Sequence, residues 1–219
     1  MQANASSADD RAADSRAGLF VRYQRLPTFS EYLEMVPQNR ELFETRLGEI
    51  RIPPDDLLFF VTYPQAVRMV VVVADDSPST LVVLPVIAHV AAQSKRLDLR
   101  VVREPDAAAL LARLTGDPQA GRTLAERSLP RLLVLDKQGQ VQAAWGPHPA
   151  GIESYSADGD SEQPLQPQDN TDSPPKQRER LIQEMRLWYN SGLDKQCVAE
   201  LHTLLAALLP EQDAGETAS

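Results

Sequence analysis

Apolar residues crowd together at Val70-Val71-Val72-Val73-Ala74 and, after the polar break Asp75-Asp76-Ser77-Pro78-Ser79-Thr80, again from Leu81 to Val90. Four consecutive valines make a strand too apolar to face water on either side, which predicts a central strand covered on both faces. Ser77 has the chemistry of a helix N-cap, and Pro78 suits the first helical position, where its missing N–H is not needed. Leu81, Val82, Leu84, Val86, Ile87 and Val90 then predict a largely buried helix over 78–93. A buried strand turning sharply into a buried helix puts its carboxyl end where ligands and chemistry gather in open α/β sheets.

Upstream, Thr28 and Glu31 have capping-box spacing and open a helix that Pro37 interrupts. Arg40 to Leu47 resumes it with Leu42, Phe43 and Leu47 on one face, and Gly48 is expected to end it. Asp55 and Asp56 predict the start of a short helix through Phe60. Downstream, Leu97, Leu99, Val101 and Val102 predict a second strand, and Asp106 is expected to cap a helix over 107–114. A short helical piece around Leu124 and Ala125 follows the Gly116-Asp117-Pro118 turn. Arg131 to Asp136 and Val141 to Trp145 predict a hairpin joined at Gly139. Helices are predicted at Arg178–Tyr189 and Asp194–Leu209, the second with Asp194 as its cap and a stripe of Cys197, Val198, Leu201, Leu204, Leu205 and Leu208. The order β-α-β-α-β-β-α makes the first two strands parallel neighbours and the last two antiparallel, an α/β fold with a central mixed sheet flanked by helices.

Texture sets the domain limits. Residues 1–25 are small and polar and read as a disordered tail, 26–66 as a helical extension, and 67–150 as the sheet-bearing core. Residues 151–176 carry Asp158, Asp160, Glu162, Asp169 and Asp172 with no base before Lys176 and read as an acidic flexible insertion. Residues 177–209 read as C-terminal helices and 210–219 as a loose tail.

Composition narrows the function classes. The chain has 219 residues, 42% of them hydrophobic, and a net charge of −9. That charge disfavours nucleic acid and anionic membrane as partners. No apolar run reaches the ~20 residues that span a bilayer. The N-terminus shows no apolar signal core, so the cytoplasm is the expected location. The single cysteine, Cys197, excludes an intramolecular disulfide, a CxxC pair and a cysteine-rich metal site. His89, His148 and His202 have no metal-ligand spacing, so neither a metal nor a cofactor is expected.

Several segments resemble the thioredoxin superfamily. Ser128-Leu129-Pro130 before Arg131-Leu132-Leu133-Val134-Leu135-Asp136 resembles the thioredoxin cis-proline segment. Gly139 and Trp145-Gly146-Pro147-His148-Pro149 resemble the glycine turn and Trp-Gly-Pro-x-Pro segment of a bacterial thioredoxin-like family. Leu84-Pro85-Val86-Ile87-Ala88 is similar to its active-site helix, and Leu187-Trp188-Tyr189 to part of its C-terminal helix. The stretch from Asn39-Arg40 to Phe43 is similar to its helical N-terminal extension. The resemblance covers about residues 28–150 and 177–209 and implies a thioredoxin-like fold with extra helices at both ends.

The same resemblance exposes a departure. Counting back from Leu84-Pro85, the two redox cysteine positions fall on Ser77 and Thr80, and the tryptophan position on Asp76. Ser-Pro-Ser-Thr stands where Cys-x-x-Cys is expected. A thioredoxin attacks as a thiolate and finishes by forming its own disulfide. A serine hydroxyl stays protonated at neutral pH, and oxygen forms no mixed disulfide. Ser77 and Thr80 are therefore expected to be vestigial, with no catalytic residue and no thiol–disulfide oxidoreductase activity. Without a functional role, Ser77 is a helix cap and Thr80 a first-turn surface residue. His89 is about three turns along the same helix, too far to reach back to Ser77, and a serine-hydrolase triad through His148, oriented by Asp75 or Asp76, is disfavoured because no spacing requires it. Cys197, on an apolar helix face, reads as a packed thiol.

What the resemblance leaves is a binding surface made of Asp76, Ser77, Pro78, Leu129, Pro130 and Trp145. The Leu129 backbone is expected to pair with an extended polypeptide by strand addition. Asp75 and Asp76 are expected to disfavour anionic ligands there. A protein partner is the first expectation, and a low-molecular-weight thiol held by Ser77, as in some glutathione transferases, is the alternative. Contact between the acidic 151–176 insertion and a basic partner is a third. The partner's identity and the oligomeric state are not encoded legibly.

Overall fold

A computed structural model describes residues 21–75, 77–115, 119, 128–150 and 192–210. The acidic stretch at 151–176, the helix expected at 178–189, the helical piece near Leu124 and both outer tails lie outside the described residues, as does Asp76.

The elements run α1 (Phe29–Met35), α2 (Arg40–Glu49), α3 (Pro54–Val61), β1 (Val67–Val73), α4 (Pro78–Ala91), β2 (Leu97–Arg103), α5 (Glu104–Thr115), β3 (Arg131–Leu135), β4 (Val141–Trp145) and α6 (Leu193–Ala206). The four strands form one mixed sheet in the order β2-β1-β3-β4. β1 is parallel to β2 and antiparallel to β3, and β3 is antiparallel to β4.

The valine strand is covered on both faces, as its composition requires. Val71 and Val73 join the core shared with α1 to α4 and α6, while Val70 and Val72 point into a second core with Val102, Ala107, Leu111 and Leu133. α4 is buried nearly all round: Leu81, Val82, Val83, Leu84 and Val86 are fully enclosed. The Thr28 capping box forms reciprocally, with the Thr28 N–H donating to Glu31 Oε2 at 2.7 Å and the Glu31 N–H to Thr28 Oγ1 at 3.3 Å. Gly139 takes the left-handed conformation at φ 80° that the hairpin needs.

Four local expectations are corrected. α2 runs one residue past Gly48 to Glu49. α5 starts at Glu104, directly from β2, so Asp106 lies in its first turn and is not its cap. α6 is preceded by Gly192 at φ 73°, and Asp194 sits inside the helix, where it pairs with the buried Arg46. Ordered structure also begins before residue 26. Residues 21–24 are helical, and Tyr23 is fully buried, accepting from the Met69 N–H at 3.2 Å and donating to the Asp98 carbonyl at 2.5 Å. Burial pushes the Tyr23 phenol well above its ordinary pKa, so it stays a neutral clasp. In the sequence Tyr23 sits between Arg22 and Gln24; its spacing to Leu26, also buried, is the signal that could have found it.

Candidate functional site

One end of the sheet gathers the residues in question. β1 ends at Val73, β3 begins at Arg131 and β4 ends at Trp145; the pairings Val72↔Arg131 and Leu132↔Trp145 bring the three strand ends together. The turn after Val73 closes with the Ser77 N–H donating to the Ala74 carbonyl at 3.2 Å, and α4 begins at Pro78.

Ser77 occupies the N-cap position with extended backbone, φ −75° and ψ 127°, but its side chain makes no capping hydrogen bond. The expected capping hydroxyl is thus absent from that role. Its carbonyl does start the helix, accepting from the Leu81 N–H at 3.1 Å. Ser77 and Pro78 are half-buried.

Thr80 is not a surface residue: it is 0% exposed, and its Oγ1 has no hydrogen-bond partner. An unmade hydrogen bond at a buried hydroxyl costs about 1–3 kcal/mol. Thr80→Val removes that polar atom at nearly constant shape. The expected result is an unchanged fold and a Tm at or above that of the parent, read by thermal unfolding.

The Leu129–Pro130 bond is cis, as is Gly146–Pro147. Pro130 is buried and Leu129 half-buried beside it. Gly146, at φ 109°, packs directly on the Pro130 backbone: a Cβ there would lie 2.3 Å from the Pro130 carbonyl oxygen. Arg131 ties the same two segments, donating from Nη1 to the Gly146 carbonyl at 2.7 Å. Trp145 belongs chiefly to the core. It is 8% exposed, and its indole N–H donates to Glu200 Oε2 at 2.6 Å. The other Glu200 oxygen accepts from the Ala150 N–H at 2.9 Å. Trp145 therefore supports the β4 end from beneath, with its one polar donor already used.

Asp75 differs from its expectation as an open negative charge. Arg103, across the parallel register Val73↔Arg103, donates to Asp75 Oδ2 from Nε at 2.6 Å and also from Nη2. The Tyr32 hydroxyl donates to Asp75 Oδ1 at 3.1 Å, and Asn39 Nδ2 to the Asp75 carbonyl at 2.8 Å. The hydrogen bond to Asp75 raises the Arg103 pKa above its ordinary value. The site is thus flanked on its β2 side by a neutralised carboxylate clasped from the N-terminal extension. Tyr32, Asn39 and Arg103 carry no sequence signal that marks them as site residues.

Among the described residues no triad assembles on α4. His89 lies in its last turn, about 18 Å along the helix axis from Ser77. His148 Nδ1 lies 3.2 Å from the Pro149 carbonyl. Cys197 is 0% exposed within the core of α6, and burial raises its thiol pKa far out of the reactive range. Among the described residues no group of three or more His, Cys, Asp or Glu could hold a metal ion, and no helix is long and apolar enough to cross a membrane.

Comparison with known proteins gives a family and a fold. A thioredoxin family model matches residues 26–160. Two solved structures superpose at a TM-score of 0.56 with 11% sequence identity, each covering 86% of this chain. One is a protein of unknown function from Pseudomonas aeruginosa, of which 96% is covered; the other is an HIV epitope scaffold, of which 97% is covered. At that identity the likeness speaks for the fold alone. No curated protein matches.

Proposed function

The chain belongs to the thioredoxin family, and on that premise we propose that it is a non-catalytic member, binding or scaffolding another protein through the surface around Ser77, Pro78 and Leu129–Pro130. One observation carries the reading: the chain's one thiol, Cys197, is sealed in the core, while on the resemblance Ser77 and Thr80 stand at the redox cysteine positions. No thiol is available to accept or release a disulfide at that end of the sheet. The neutralised Asp75 supports a polypeptide ligand, since the charge that would select a basic group is already paired. Asp76 belongs to this proposed surface by its place in the sequence. One unpaired cysteine fits a cytoplasmic setting.

Affinity capture tests the reading. The parent chain is expected to retain a defined protein partner, and Pro130→Ala and Ser77→Tyr to lose it while keeping the parent's circular dichroism. Capture that is indifferent to both folded variants would place the partner elsewhere.

The uncommitted Ser77 hydroxyl favours a second reading, the binding of a low-molecular-weight thiol at the start of α4. Calorimetry with glutathione separates the two. Heat of binding together with a raised Tm supports the thiol site; neither signal removes it.

A further inference from the structure

The carboxylate of Asp75 stands two residues before the α4 cap, close to a helix start whose first N–H groups have no intrahelical acceptor. A free carboxylate in that position is drawn to those N–H groups and to the positive end of the helix. It is held elsewhere: Arg103 takes Oδ2, Tyr32 takes Oδ1, and Asn39 fixes the Asp75 carbonyl. The three come from three places, the end of β2, helix α1, and the residue before α2.

We propose that Arg103, Tyr32 and Asn39 are positioning residues of the candidate site, holding Asp75 neutralised and turned away from the start of α4 so that Ser77 and the first turn stay open to a guest. The helical extension is on this account a working part of the site. The inference builds on the docking reading but concerns the site's electrostatics, so it can be tested with no partner present.

The probe is a thiol placed at position 77 by Ser77→Cys, with Cys197 silent in the core. Its pKa is read from the pH dependence of alkylation by iodoacetamide. Among the described residues the charged and titratable groups facing Asp75 are Arg103 and Tyr32, with Asp106 acting on Arg103 from α5. Arg103→Met frees the Asp75 carboxylate two residues from the thiol, and a nearby like charge raises a thiol pKa, here by about one unit. Adding Asp75→Asn leaves no carboxylate to release, so in that background Arg103→Met is expected to move the pKa much less. Tyr32→Phe and Asn39→Ala raise it by smaller amounts, and Arg103→Lys restores most of the parent value.

An equal shift with Asp75 intact and with Asp75→Asn would mean that Arg103 acts by its own charge alone, and would overturn the proposal. So would an unchanged pKa in Arg103→Met. If that variant does not fold, Tyr32→Phe and Arg103→Lys decide, and no shift in Tyr32→Phe counts against it. A failed partner capture alongside the predicted coupling would sink the docking reading and leave this one standing.

Discussion

Asp194→Ala is expected to cost about 3–5 kcal/mol of stability, the usual result of removing one partner from a buried ion pair. Arg46 is 1% exposed and Asp194 only 15%, and their pairing ties α2 of the N-terminal extension to the start of α6. Arg46 Nη1 donates to Asp194 Oδ2 at 3.3 Å, Nη2 donates to Oδ1, and Arg46 Nε has no partner. Without Asp194 the guanidinium is left charged in an apolar setting with nothing to repay its lost hydration. For a chain of this size, about 4 kcal/mol lowers Tm by roughly 8–16 °C. Arg46→Met/Asp194→Leu is expected to recover most of the loss, because it removes both charges and refills the volume. Thermal or urea unfolding of the single and double variants checks both statements. A double variant no more stable than Asp194→Ala would show that packing, not charge, dominates at this junction.

Gly146→Ala is the second large effect, and it acts at the site. Two penalties coincide there. The φ of 109° is a region that side-chain-bearing residues rarely adopt, and the new Cβ would meet the Pro130 carbonyl oxygen at 2.3 Å. That oxygen is backbone at the start of β3, so it cannot swing aside as a side-chain tip would. Strain of about 1–3 kcal/mol and overpacking of similar size are expected to add. The segment holding Pro130 must shift or the protein must unfold more readily. Urea unfolding should show a loss of at least about 2 kcal/mol, and partner capture through Leu129 should weaken with it. Gly192→Ala offers a control, since its φ is 73° but nothing lies within 4 Å of the added carbon.

The fold was legible where signals are local. β1 and α4 follow from an unbroken apolar run cut by Ser77-Pro78, the capping box from the Thr28–Glu31 spacing, and the hairpin from Gly139. The parallel and antiparallel neighbours of the mixed sheet followed from the element order, a helix between β1 and β2 and a tight turn between β3 and β4. Long-range pairing was not legible. Arg46 and Asp194 are 148 residues apart, and nothing in the sequence distinguishes Arg46 from Arg40, which pairs with Glu44 on the surface. Asp194 looks like a cap because capping is the commoner use of an aspartate at a helix start.

The site was half legible for the same reason. The strand-to-helix turn and the Pro130 segment mark where the candidate site is sought, and the Val72↔Arg131 pairing brings those strand ends together. Its electrostatics did not, because a hydroxyl or carboxylate does not disclose its partner. Thr80 reads as polar whether it is buried or exposed. Asp75 reads as an open charge until the β1–β2 register sets Arg103 opposite Val73. Trp145 reads as a binding aromatic until α6 supplies Glu200 as acceptor for its N–H.

A disulfide-reduction assay on the purified chain, with insulin as substrate and a dithiol as reductant, goes most directly to whether this member of the family does thiol chemistry at all. The account predicts background rates for the parent and for Cys197→Ser, and a gain of turnover when Ser77→Cys/Thr80→Cys returns sulfur to the start of α4. Turnover by the parent would contradict it, and its disappearance in Cys197→Ser would identify the buried thiol as the working group.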